Sequence, residues 1–140
     1  MKIVRILVIL LIVALVAMQF WPVDRENPAK RGDPAAPEQV VSVLKRACYN
    51  CHSNETQWPW YGYVAPVSWL LSGHVKDARS KVNFSEWDSY SAKKRAKIIE
   101  EVYDEVEGED MPPALYALGH PEAKVTAAEL AALKAWADGE

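Results

Sequence analysis

Cys48-Tyr49-Asn50-Cys51-His52 brings both cysteines of the chain together with a histidine, and its reading decides the rest. The order is C-x-x-C-H, the signature of covalent c-type haem attachment. On a helical turn, residues i and i+3 lie on one side. Both thiols then reach one edge of a porphyrin and add to its two vinyl groups, while His52 follows beneath the iron as the proximal ligand. One haem c, attached through Cys48 and Cys51, is the cofactor this implies. A zinc site needs four ligands, and His74 and His120 stand alone in the sequence. A thioredoxin-like redox pair follows a strand, whereas this motif follows a helical pattern. A plain disulfide between Cys48 and Cys51 also fits the spacing.

Upstream of the motif, Glu38 to Ala47 reads as a helix, with Val40, Val43, Leu44 and Ala47 recurring at i, i+3, i+4 and i+7. Downstream comes an aromatic and proline-rich tract, Trp58-Pro59-Trp60-Tyr61-Gly62-Tyr63-Val64-Ala65-Pro66, which prolines and glycine keep irregular. Pro66 suits the first position of a second helix, on which Val67, Leu70, Leu71, His74 and Ala78 share a face. Ala92, Ala96, Ile99, Val102, Tyr103 and Val106 mark a third helix. Its basic residues come first and its acidic ones last, against the macrodipole. Thr126 and Glu129 predict a capping box, followed by a helix with Leu130, Leu133, Trp136 and Ala137, and Gly139 suits its C′ position. No segment alternates as a strand does. The class is all-α. Trp58, Trp60 and Tyr61 of the tract, with Trp69 beyond it, are the aromatics expected to line a porphyrin.

Methionine occurs at positions 1, 18 and 111. Met111 is the only methionine outside the amino-terminal segment. It precedes Pro112 and Pro113, in a stretch that cannot be helical. It is therefore the candidate sixth ligand of iron, in a His/Met pair with His52. His74, on an apolar helical face, and His120, in a loop before Pro121, are the competitors, and an open sixth position is the remaining option.

The amino-terminal stretch Ile6 to Val23 holds one polar side chain, Gln19. At 1.5 Å per residue it spans roughly 27 Å, enough to predict a transmembrane helix. A cleaved signal peptide is the other reading, although Leu15 at −3 of a cut after Ala17 is a poor site. Residues 1–23 are thus a membrane anchor or signal peptide, 24–37 a flexible linker with Pro28, Gly32, Pro34 and Pro37, and 38–140 the haem domain. Thioether attachment takes place outside the bacterial cytoplasm. The expected location is therefore the inner membrane, single-pass, with the domain in the periplasm.

The chain has 16 basic and 19 acidic residues and a formal charge of −3. Removing residues 1–23 takes away Lys2 and Arg5 and no acid, so the remainder is more acidic still. That excludes nucleic acid as a partner. The run Glu100, Glu101, Asp104, Glu105, Glu107, Glu109 and Asp110 reads as a solvated face or as a docking patch for a basic redox partner.

The stretch from Cys48 to Tyr61, then Val64-Ala65-Pro66-Val67-Ser68-Trp69-Leu70, Asn83-Phe84-Ser85-Glu86-Trp87, Met111-Pro112 and His120-Pro121-Glu122-Ala123, resembles the bacterial haem-binding domain family related to cytochrome c. The resemblance covers about Leu44 to Ala137. It implies a cytochrome c-like helical domain around one covalent haem, with Cys48 and Cys51 as attachment residues, His52 as proximal ligand and Met111 as distal ligand. Ala78 before Arg79 departs from the family's Gly-Arg. The expected function is that of a membrane-tethered periplasmic cytochrome transferring single electrons to and from a redox partner protein, with no catalytic residues. A haem-based sensor, or a small peroxidase with an open iron, is the alternative.

Overall fold

The computed structural model describes residues 1–139. Its α-helices are α1 (Lys2–Met18), α2 (Glu38–Val43), α3 (Tyr49–His52), α4 (Val67–Lys81), α5 (Ala92–Glu107), α6 (Ala114–Gly119) and α7 (Ala127–Ala137). A π-helical turn, Leu44–Cys48, joins α2 to α3, and 3-10 turns cover Trp60–Tyr63, Phe84–Ser89 and Pro121–Ala123. Among the described residues there is no strand, so the all-helical expectation holds.

Nine side chains form the core: Val40, Val43, Leu44, Tyr49, Phe84, Trp87, Ile98, Leu133 and Trp136. α7 lies against both α2 and α5, and α3 against α4. The stripe read on Glu38 to Ala47 is buried as predicted, with Val40 at 0% and Leu44 at 1% exposure. The helical path continues to His52, but the π turn inserts extra winding just before the motif. Each added residue rotates the following side chains by about 100°. Tyr49 is thereby carried into the core and Cys48 to its edge.

α7 begins as its sequence dictates. Thr126 accepts from the Glu129 N–H while the Glu129 carboxylate accepts from the Thr126 N–H at 2.8 Å. Gly139 takes φ +82° just beyond the helix, a conformation that favours glycine. On α5, Ser91 caps the first turn, and the buried side centres on Ile98, with Ile99, Val102, Tyr103 and Val106 packed around it. On α4 the inward face is displaced from the predicted one. Ser68 and Val75 are buried, whereas Val67, Leu70 and His74 are exposed. The physical reason is polar. Ser72 donates to the Asp24 carbonyl at 2.7 Å and Arg79 to the Glu26 carbonyl at 2.9 Å, which turns that side of α4 toward the segment preceding α2.

The expected transmembrane helix is not supported, and with it falls the single-pass inner-membrane placement. No helix among the described residues is long and apolar enough to cross a membrane. α1 has 17 residues and ends at Met18, with Lys2 and Arg5 in its first turns. Its length of roughly 25 Å falls short of a hydrocarbon core of about 30 Å, and its uncharged part is shorter still. The apolar run continues through Phe20-Trp21-Pro22, but the helix does not. Gln19 ends it by turning its side chain onto the domain, accepting from the Ala65 N–H at 3.0 Å and donating to the Ala65 carbonyl at 3.3 Å.

Residues 24–37 carry no helix or strand. They run as an extended strap whose backbone is held at many points. The Arg25 carbonyl accepts from the Trp58 indole, the Ala29 carbonyl from Asn54, and the Arg31 N–H donates to Ser85. Gly32 turns at φ +98° with Asp88 so close that a Cβ would lie 2.4 Å from its carboxyl carbon. A side chain there would have to displace the exposed Asp88 carboxylate, and the positive φ itself favours glycine.

Candidate functional site

The motif sits where the π turn passes into α3. Cys48 and Cys51 are free thiols. Cys48 packs against the core, and burial pushes its thiol up to about 12, with the Cys51 sulfur adding to the effect and Arg46 opposing it. Burial also raises Cys51. Both are therefore neutral thiols at pH 7.

His52 Nδ1–H donates to the Val82 carbonyl at 3.2 Å, and the ring leans on Phe84 with centroids 6.3 Å apart. This bond fixes the tautomer and leaves the lone pair on Nε2, the arrangement a metal-binding histidine needs. Burial pushes the ring below its ordinary range, against the raising effect of the Val82 and Ala78 carbonyls and of Glu105. A neutral ring is the coordinating form.

The loop after the motif is locked by buried polar groups. Ser53 donates to the Tyr49 carbonyl at 2.7 Å, the Asn54 N–H donates to Ser85 at 3.0 Å, and Asn83 donates to Asn54 at 2.8 Å. Arg79 Nε donates to the Ser53 carbonyl at 2.8 Å, and the same guanidinium reaches Thr56 at 2.9 Å and Asn27 at 2.7 Å. α4 thus grips both the motif and the strap.

A cleft opens beside Cys51, walled by Trp58, Tyr61, Leu71, Val75, Tyr116 and His120. Of the aromatics expected to line a porphyrin, Trp58 and Tyr61 stand here. Trp60 is 79% exposed and Trp69 36%, on the outer surface. Met111 is half-buried on the loop after α5, outside this lining, with its N–H donating to the Glu105 carbonyl at 3.0 Å. His74 is exposed, contrary to its predicted inward place. His120 is engaged at both ring nitrogens, with Tyr61 and with Glu122. Tyr116 completes this wall beside His120, the competitor named from the sequence. Position gives no signal for it, because 64 residues separate it from His52 along the chain.

The donor set fits a haem. It has two free thiols one turn apart and an imidazole tied through Nδ1 to the Val82 carbonyl, and of these donors Cys51 lines the cleft. The enclosed part of the cleft measures about 20 Å³, against the roughly 300–1,000 Å³ of ordinary ligand pockets. A macrocycle lies here only with the Tyr61, Tyr116 and His120 wall moved outward and Cys48 turned from the core.

Comparison with known proteins agrees with this donor set. The family model of the haem-binding domain matches residues 13–139. No curated protein and no solved structure matches.

Proposed function

The chain belongs to the haem-binding domain family, and from that premise we propose a c-type cytochrome that carries single electrons between protein partners. The observation that carries the reading is the motif's own geometry. It presents two free thiols, with the imidazole held by the Val82 carbonyl so that Nε2 is the ligating atom. Cys48 and Cys51 would hold the haem through thioether bonds, and His52 would ligate its iron. When bound, the haem supplies one-electron chemistry. The chain's own residues do the rest. His52 ligates, Phe84 and Val82 keep its ring in place, and the Ser53–Asn54–Ser85 network stiffens the loop behind it.

Met111 is proposed as the sixth ligand. Its loop is tied to α5, where both the Asp110 and Met111 N–H groups donate to the Glu105 carbonyl at 3.0 Å. The purified ferric protein is expected to show the weak methionine–iron charge-transfer band, and Met111→Ala to lose it. Survival of the band in Met111→Ala would overturn this assignment. His74 is exposed and stands outside the cleft. The exposed carboxylates of the second half of α5, with Glu109 and Asp110 beyond it, support a partner with a basic docking face.

A further inference from the structure

A groove of about 390 Å³ opens where the chain leaves α1 and becomes the strap. That volume lies within the roughly 300–1,000 Å³ of ordinary ligand pockets. The groove shares no lining residue with the cleft beside Cys51. Phe20, Trp21, Val23 and Tyr63 supply its apolar walls, and Arg25 and Ser68 are polar points among them. Phe20 is 82% and Trp21 70% exposed, so two large apolar side chains border the groove largely uncovered. Gln19 fixes this end of the groove through its paired hydrogen bonds to the Ala65 backbone.

Arg25 is held in place by the protein itself. Its Nε–H donates to the Gly62 carbonyl at 2.9 Å, and its guanidinium carbon lies 4.7 Å from the centroid of the Tyr63 ring. Among the described residues its two terminal nitrogens have no hydrogen-bond acceptor, and no carboxylate forms an ion pair with it. Ser68 is 2% exposed and lines the same groove, and among the described residues its hydroxyl has no hydrogen-bond partner. Buried hydroxyls are ordinarily paired, so this one calls for a polar atom within the groove.

We propose that this groove binds a small amphipathic carboxylic acid, with its carboxylate on the terminal nitrogens of Arg25 and its apolar body against Phe20, Trp21 and Val23. The planar guanidinium fork matches the two oxygens of a carboxylate. Stacking on Tyr63 and the bond to Gly62 restrict that fork before binding, which lowers the ordering cost. One negative charge suits the site better than two. Arg25 is its one basic side chain, and Asp24 and Glu26 flank it in the chain, so a phosphate dianion would be opposed. The body of the acid covers aromatic surface that is otherwise left to water. The Ser68 hydroxyl gives the occupant a second hydrogen-bond partner.

The test is equilibrium dialysis of the purified protein against radiolabelled decanoate, kept below its micelle-forming concentration. The wild type is expected to saturate at one decanoate per chain. Decanol, with the same body and no charge, and Arg25→Gln are each expected to weaken binding by about tenfold or more, the share of a charge-assisted hydrogen bond. Trp21→Ala is expected to weaken it as well, through lost apolar contact. Binding that never saturates, or that is equally tight for decanol, overturns the proposal, as does undiminished binding to an Arg25→Gln protein whose far-ultraviolet circular dichroism matches the wild type. If Arg25→Gln does not fold, the comparison of decanoate with decanol on the wild type decides alone. Vesicles of anionic phospholipid form the second arm. Capture by vesicles without binding of decanoate overturns the proposal in favour of a lipid surface.

Discussion

Replacing both Cys48 and Cys51 with serine is expected to yield a folded chain from which all haem is extracted by acid and organic solvent, while the wild type retains it. The thioether bonds are the only covalent link available, because the chain holds two cysteines and both lie in the motif. Serine keeps the size and loses the nucleophile. The fold should survive, since Cys48 sits at the edge of the core and Cys51 in the cleft wall, while the nine core side chains are untouched. Single variants are expected to retain haem through the remaining bond. Retention of extractable-resistant haem in the double variant would sink the attachment chemistry.

Phe84→Ala carries the largest expected cost in stability, about 3–5 kcal/mol. The ring is 1% exposed and touches three aromatics. It stacks on Tyr49 with centroids 5.5 Å apart, meets Trp87 at 6.4 Å and supports His52 at 6.3 Å. Such a loss is a large share of the roughly 5–15 kcal/mol that holds a domain together. The Thr126 cap contributes about 1 kcal/mol by comparison. Urea unfolding should show a lower midpoint with an unchanged slope. A change below about 1 kcal/mol would contradict the place given to Phe84 at the centre of the core.

The residues most legible in the sequence are those whose role is local. The Val40–Val43–Leu44–Ala47 stripe and the Thr126–Glu129 box each depend on spacing within one turn or two, and each is found in place. What escaped depends on partners distant in sequence or on backbone groups. The π turn before Cys48 has no hydropathy signature. The strap's anchors are carbonyls and amides, which composition does not register, so residues 24–37 read only as prolines and charge. The inward face of α4 differs from the predicted one at His74 because Ser72 and Arg79 turn toward the strap and the motif to make polar contacts, which hydropathy does not register. α1 was read as too long because hydropathy continues through Phe20 and Trp21, whereas helix length is set by the turn at Gln19. His120 and Tyr116 join the cleft only through tertiary packing with Tyr61 and Asn50.

The central claim, covalent haem on this motif, is tested most directly by the intact mass of the purified wild-type protein under denaturing conditions. The expected mass exceeds that of the polypeptide by one haem. The bare polypeptide mass, from a protein that absorbs as a haem protein when native, would contradict attachment through Cys48 and Cys51.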